Sequence, residues 1–219
     1  MPNLNEFSEY DVKKVGVKLN TSGATQIVAE CVGSMEDECE TKTVTKNCRG
    51  VAVKRRTTGT GTGTVTLSLH IPIAMYKAMF ALTRSDLKDG VMGYGRPNIH
   101  PEFCLTADVF DEDGNEKYLA YPKCVLESGP DMSVENGADE IEEKEIEISF
   151  MPDSNGYGKY EAIVDDISEE IASAWLPASR RSWSLKRRPR NDSIQGRQHQ
   201  LAALSVGQNE SEDTFSVHG

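Results

Sequence analysis

The sequence predicts a mainly β fold: an antiparallel β-sandwich or barrel with one flanking α-helix and a C-terminal helix. Three observations lead there. Apolar residues alternate with a period of two through the first 164 residues, Gly-containing turns interrupt the alternation at short intervals, and only two segments carry a helical period. The candidate strands are 12–19, 24–32, 51–57, 63–71, 103–111, 117–126, 132–136, 141–151 and 157–164. Asp111-Glu112-Asp113-Gly114-Asn115 reads as a hairpin turn between two of them, and Asn136-Gly137 and Asn155-Gly156 mark two further reversals.

The first helix follows Pro72, a residue suited to a first helical turn, with Met75, Met79 and Leu82 recurring at i, i+4, i+7 beside Tyr76 and Phe80. The second is expected from Asp166 to Leu176. Asp165 would be its N-cap, Glu169 and Glu170 would sit near its positive end, and Ile167, Ile171 and Trp175 would share a face until Pro177 stops it.

Two stretches do not read as core. The segment 33–63 begins with Met35-Glu36-Asp37-Glu38-Cys39-Glu40, passes through Lys54-Arg55-Arg56 and ends in a Gly-Thr repeat, so it is expected to be a long polar loop ending flexibly. Residues 177–219, rich in Ser, Arg and Gln, read as a basic, polar C-terminal extension appended to a single domain of residues 1–176.

Charge follows the same division. The net charge of −11 separates into 31 acidic and 17 basic residues in 1–175 and 4 acidic and 7 basic in 176–219. An acidic body makes wholesale nucleic-acid binding a poor expectation. No apolar run approaches the roughly 20 residues of a membrane helix, so no membrane association is expected. The start MPNLNEFSEYDV lacks a basic stretch followed by an apolar one, so no secretory signal is expected either.

Chemistry finds little purchase. Cys31, Cys39, Cys48, Cys104 and Cys124 form no CxxC pair and match no zinc spacing, and are expected as free thiols. In the Gly-Thr repeat no GxxxxG is followed by Lys-Ser or Lys-Thr, and a strand rather than a helix follows. Asp111-Glu112-Asp113-Gly114 resembles part of a calcium loop, but the first and twelfth positions would fall on Val109 and Ala120. Of four histidines, His199 and His218 lie in the extension, while His70, placed in a strand, and His100, beside Pro101, read as structural. No catalytic or metal-binding residue and no cofactor is expected. The cluster Arg180, Arg181, Lys186, Arg187, Arg188 and Arg190 could meet phosphates, but the nearest strong negative field is the acidic body itself.

The strand 141–150, IEEKEIEISF, is more informative. Alternation sends Ile146, Ile148 and Phe150 to one face and Glu143, Glu145 and Glu147 to the other. Three like charges about 7 Å apart repel, and solubility alone is more simply met by mixing in Lys. Two readings stay open: an ordinary solvated sheet face, or a uniformly negative face placed where something anionic must pass without sticking.

From about Glu36 to Ala174 the chain resembles the major tail protein, or tail tube protein, of bacteriophages with long, non-contractile tails (siphophages). The similarity runs through ETKTV (40–44), TGTG (58–61) leading into VTLSLHIP (65–72), DGV (89–91), Tyr94-Gly95, HPEF (100–103), ADVFDEDGN (107–115), YPKCV (121–125), ENGA (135–138) and EIEISFMPD (145–153). The resemblance implies a tail-tube β-sandwich subunit, six of which close into a ring whose inner sheets merge into a barrel around a lumen. Rings would stack head to tail on a tape measure protein, with the tail terminator and distal tail proteins as further partners, and double-stranded DNA would pass through without specific binding. The place implied is the virion tail, assembled in the host cytoplasm. A long loop reaching the neighbouring ring would correspond to 33–63, with Glu36, Asp37, Glu38, Glu40, Lys42, Lys46, Arg49, Lys54, Arg55 and Arg56 as its candidate contact residues. Glu143, Glu145 and Glu147 become candidate lumen residues. The 43-residue extension is too short for the immunoglobulin-like domain that some relatives append. Two rival readings belong to other classes: a soluble β-sandwich binding module, and a nucleic-acid-binding protein acting through its basic tail.

Overall fold

The computed structural model describes residues 6–137 and 141–175. The extension 177–219 and its basic cluster lie outside the described residues. Among the described residues eight strands and two helices follow in the order β1 (Asp11–Leu19), β2 (Ile27–Ala29), β3 (Val32–Cys48), β4 (Val51–Leu69), α1 (Ile73–Met79), β5 (Phe103–Phe110), β6 (Glu116–Leu126), β7 (Lys144–Phe150), β8 (Tyr160–Ile163) and α2 (Glu169–Trp175). All strand pairs are antiparallel, in the order β2-β1-β5-β6-β7-β4-β3, and β8 joins the first half of β6. The expected mainly β, antiparallel class with flanking helices is the one observed.

Alternation explains the core. Val15 and Val17 of β1, Val65, Leu67 and Leu69 of β4, Phe103, Leu105 and Ala107 of β5, and Ile146, Ile148 and Phe150 of β7 all face one interior. The two ends of the sheet therefore share one core, β3 lies against β1, and the sheet is folded over on itself. Helix α1 closes this interior with Met75 and Met79, followed by buried Phe80 and Leu82. Pro72 is its N-cap, one position earlier than a first-turn proline.

The opposite face of β5 and β6 has its own cover. Cys104, Tyr118 and Ala120 pack beneath Trp175, with Ile167 and Ile171 at the margin, and the Trp175 indole N–H donates to the Leu119 carbonyl at 3.3 Å. Helix α2 begins at Glu169 rather than Asp166. Asp165 and Asp166 belong to a single 3₁₀ turn, and the Ser168 hydroxyl takes the capping place by accepting the Ile171 N–H at 3.4 Å.

The structure corrects the expected long loop. Residues 33–63 are part of a two-stranded ribbon in which β3 pairs with β4 from Val32↔Leu69 out to Cys48↔Val51. Arg49 and Gly50, with φ of 50° and 80°, form the tight two-residue turn at its tip. The candidate strands 51–57 and 63–71 are one strand, and the end of 24–32 belongs to β3. The Gly-Thr repeat is a bulge, not a flexible end: Cys39 pairs with Gly63 and Thr41 with Gly59, so Thr60, Gly61 and Thr62 stand opposite Glu40 alone. Glu40 holds the bulge, its carboxylate accepting from the Thr62 hydroxyl at 2.6 Å and its carbonyl from Thr60 at 3.0 Å. Glycine is required beside it: a Cβ on Gly63 would lie 2.0 Å from the Glu38 carbonyl oxygen, and one on Gly158 would lie 1.8 Å from that of Gly61.

Other boundaries move for plain reasons. The segment 132–136 is not a strand; Met132 and Val134 are 88% and 74% exposed and find no core to enter. β7 starts at Lys144 because Ile141 is equally unburied. The last strand shortens to 160–163, since Asp153 gathers the preceding turn by accepting the N–H groups of Asn155 and Tyr157 and the Tyr160 hydroxyl. Asp111 likewise accepts from Asp113 and Asn115 N–H in the expected hairpin turn. His70 lies just past β4, its N–H donating to the Cys31 carbonyl, and His100 is held between the Leu126 carbonyl and the Tyr94 hydroxyl. All five cysteines are free thiols; Cys104 and Cys124 are buried.

Asp108 is a buried acid whose hydrogen bonding is incomplete. It sits on the covered face of β5, 4% exposed, with one carboxylate oxygen lacking any hydrogen-bond partner. Burial, followed by the hydrogen bond and charge of Glu116, raises its pKa to about 7 against the smaller opposing pull of Lys14 and Lys13. The unfolded carboxyl loses its proton near pH 4 and the folded one near 7, so this group's contribution to stability falls as pH rises through that window. Denaturant titrations from pH 4.5 to 8 are expected to show that Asp108→Asn gains stability relative to wild type as pH rises, levelling off above pH 7. An unchanged difference across the range would remove Asp108 as the source.

Candidate functional site: an acidic sheet face and a basic ribbon

The strands β3, β4 and β7 are neighbours, and their register brings two of the predicted groups onto one surface. Glu147 pairs with Thr66, which pairs with Glu36; Glu145 pairs with Ser68, which pairs with Ser34; Ser149 pairs with Thr64, which pairs with Glu38. The inward partners of these strands are Met35 and Asp37, Val65 and Leu67, and Ile146 and Ile148. The outward face is therefore an array of Glu36, Glu38, Glu145 and Glu147 around a central row of Thr64, Thr66 and Ser68, with all four carboxylates exposed. Carboxylates spaced about 7 Å along a strand and about 10 Å across two strands lie within or near a Debye length, so their potentials overlap. Glu143 falls just before β7, and its carboxylate lies against the backbone of Gly33.

Beyond the Gly-Thr bulge the ribbon leaves the body. Every residue from Glu40 to Thr60 is exposed, so the outer strands pair only with each other over roughly 30 Å. Between Thr41 and Thr58 there are six basic residues and no acidic one. The register sorts them: Lys42, Lys46, Lys54 and Arg56 share one face with Val44, whereas Arg55 lies on the other among Thr41, Thr43, Thr45 and Thr57. Arg49 is at the tip. Lys46 and Lys54 are direct cross-strand partners, a destabilising arrangement in an isolated ribbon. The Thr43 and Thr57 hydroxyls, 2.9 Å apart, support the opposite face.

The predicted contact residues thus divide four ways. Glu36 and Glu38 join Glu145 and Glu147, Glu40 fastens the bulge, and the basic residues populate the ribbon. Asp37 turns inward, where its carboxylate meets Lys159 at 2.8 Å. Burial opposes the Lys159 charge, but the hydrogen bond and charge of Asp37, with Glu161 at 3.7 Å, hold its pKa above the usual lysine value. Lys117 bonds Glu9, whose pKa it lowers, and reaches Glu161 at 4.0 Å. This string of alternating charges crosses from the N-terminal segment through β6 and β8 to the ribbon's root. The sequence reading missed it because Glu9, Lys117, Lys159 and Glu161 belong to no motif. Beneath it the buried Tyr121 phenol is pushed up by burial and by the charge of Asp37. Among the described residues no group of three or more His, Cys, Asp or Glu side chains could hold a metal ion, and no helix is long and apolar enough to cross a membrane.

No protein-family model and no curated protein matches this sequence. Among solved structures, the chain is similar to the tube-terminating cap of the anti-feeding prophage, with a TM-score of 0.41 and 12% identity over 74% of this chain and 98% of that one. It is similar also to a chain in the 6-fold symmetrised anti-feeding prophage baseplate, with a TM-score of 0.41 and 8% identity over 73% and 98%. At these values neither likeness bears on function.

The Lys46–Lys54 opposition has a measurable cost. Lys54→Glu turns a like-charge pair into an attractive one, a change of roughly 0.2–1 kcal/mol per cross-strand pair. Hydrogen exchange of the ribbon amides in the dispersed chain is expected to slow by about two- to fivefold, with the amides of β5 and β6 unchanged. Equal or faster exchange in the ribbon would show that the two lysines do not repel.

Proposed function

We propose that this chain is the structural subunit of a bacteriophage tail tube: six copies close into a ring, rings stack into a hollow tube, and viral DNA travels through the lumen. The observation that carries the reading is the pairing of an outward face of β3, β4 and β7 built from carboxylates and hydroxyls with a basic ribbon that its own chain leaves uncovered. The first is suited to line a lumen, where fixed negative charge keeps a polyanion from adhering. The second is suited to reach an adjacent ring.

The sheet supports the same reading. Among the described residues its terminal strands, β2 and β3, each have one unpaired edge. Exposed edges invite pairing, and a contact between two different edges generates a closed ring when its rotation closes. In this proposal the subunit's work is geometric and electrostatic, with no catalytic step. Glu36, Glu38, Glu145 and Glu147 face the lumen, with Glu143 at its margin. The tape measure, tail terminator and distal tail proteins are the partners, and the virion tail is the location.

Negative-stain electron microscopy of the concentrated protein tests the assembly: rings or tubes are expected, and dispersed monomers would count against it. If the monomers bound DNA in a salt-sensitive manner lost on deleting 177–219, the basic-tail rival would be favoured. The lumen assignment is tested separately. Tubes carrying Glu36→Lys, Glu38→Lys, Glu145→Lys and Glu147→Lys together are expected to retain short duplex DNA that wild-type tubes exclude. Equal exclusion by both would move these residues off the lumen.

A further inference from the structure

The ribbon tip needs an acceptor, and the body carries a cleft with the matching chemistry. It opens where the N-terminal segment and the start of β1 meet β3 and β6, with a volume of about 310 Å³. Its floor is apolar, from Val12, Met35, Val109 and Leu119, and its walls bring Glu9, Asp11, Asp37, Lys117 and Lys159. With Glu161, which bonds both lysines, four carboxylates surround two ammonium groups. Glu9 and Asp37 are already engaged by those lysines. Asp11 is exposed at the mouth, beside the 78% exposed ring of Tyr10. An excess of negative charge over an apolar floor fits a cation on an apolar stem, and the volume, at the low end of ligand sites, holds one or two side chains rather than a strand.

The tip has that composition. Arg49 stands at the turn, held at φ 50° by the two-residue geometry, and Val51 and Val53 beside it are 65% and 57% exposed. We propose that the ribbon tip of a second copy of this chain docks in the cleft, the Arg49 guanidinium meeting Asp11 while the adjacent valine covers the apolar floor. This inference rests on the tube reading and names the receiving site within it. The contact joins two different surfaces, so it repeats from copy to copy in one direction. A bidentate arginine–carboxylate pair would also fix the orientation of each added copy.

Two experiments on the full chain test it. In the first, Arg49→Asp and Asp11→Arg, each alone, are expected to raise the concentration at half-assembly by about tenfold or more, measured by sedimentation, and the double exchange is expected to recover most of the loss. In the second, Tyr10→Cys places a thiol at the mouth of the cleft opposite the native, exposed Cys48, next to Arg49. A mild oxidant is expected to yield disulfide-linked multimers that disappear with Cys48→Ser. If wild type assembles but the charge variants assemble equally well and no Cys48-dependent link forms, the docking site is wrong and the tube reading stands. A wild-type chain that does not assemble at any concentration would overturn both.

Discussion

The architecture depends on the backbone pairing of β3 with β4 along its full length, because only half of that pairing is supported by anything else. In the inner half, Val65, Leu67 and Leu69 are fully buried, each worth about 1.5–3 kcal/mol, and β7 continues the sheet on the far side. In the outer half no side chain is buried. A cross-strand contact there returns roughly 0.2–1 kcal/mol, against about 1–2 kcal/mol to order each residue's backbone. The outer ribbon is thus an extension of a stable element, held in line by continuity with the core. The bulge at Thr60–Thr62 is where the two regimes meet, and the Glu40 bonds and the close approach of Gly61 to Gly158 secure the junction.

The same junction separates charge by function. On the body side the outward side chains are carboxylates and hydroxyls, with the balancing lysines drawn inward to Asp37, Glu161 and Glu9. On the far side they are lysines, arginines and threonines. Each zone is consistent in sign and therefore repels itself, which a solitary monomer has no reason to maintain. Contact with other molecules gives each zone a use, and this is the physical content of reading the chain as an assembling subunit.

Much of this was legible in advance where burial imposes alternation. IEEKEIEISF announced both its core face and its carboxylate face, and β5, β6 and α1 emerged near their expected places because one side of each is apolar. The ribbon was not legible for the converse reason: with neither face buried, Thr41-Lys42-Thr43-Val44-Thr45-Lys46 shows no apolar period and reads as a loop. Its Thr content, favourable to strands, was the available clue. Glycines spaced two apart within a strand were a second one, since they mark a bulge or a close backbone approach. The joining of Glu36 and Glu38 with Glu145 and Glu147 required the order β7-β4-β3, a long-range pairing that no local pattern contains. Asp108 inside Ala107-Asp108-Val109 was visible as a lone acid among apolar neighbours, but its burial depended on its pairing between Lys14 of β1 and Tyr118 of β6, which no local pattern contains.

The bulge opposite Glu40 adds an even number of residues to β4, two beyond one-for-one pairing. Because successive side chains point to opposite faces, an odd number would have turned Lys54 and Arg56 of β4 away from the acidic side chains. Alternation along β3 sets Glu36, Glu38 and Glu40 in line with Lys42 and Lys46, and the even number keeps Lys54 and Arg56 of β4 on that same side, negative at the root and positive at the tip. The ribbon is consequently an electric dipole some tens of ångströms long lying along its own axis. Subunits arrayed in a common sense add their dipoles, so the two ends of such an array carry opposite potentials, and an incoming subunit meets a field that distinguishes head from tail before any surfaces touch.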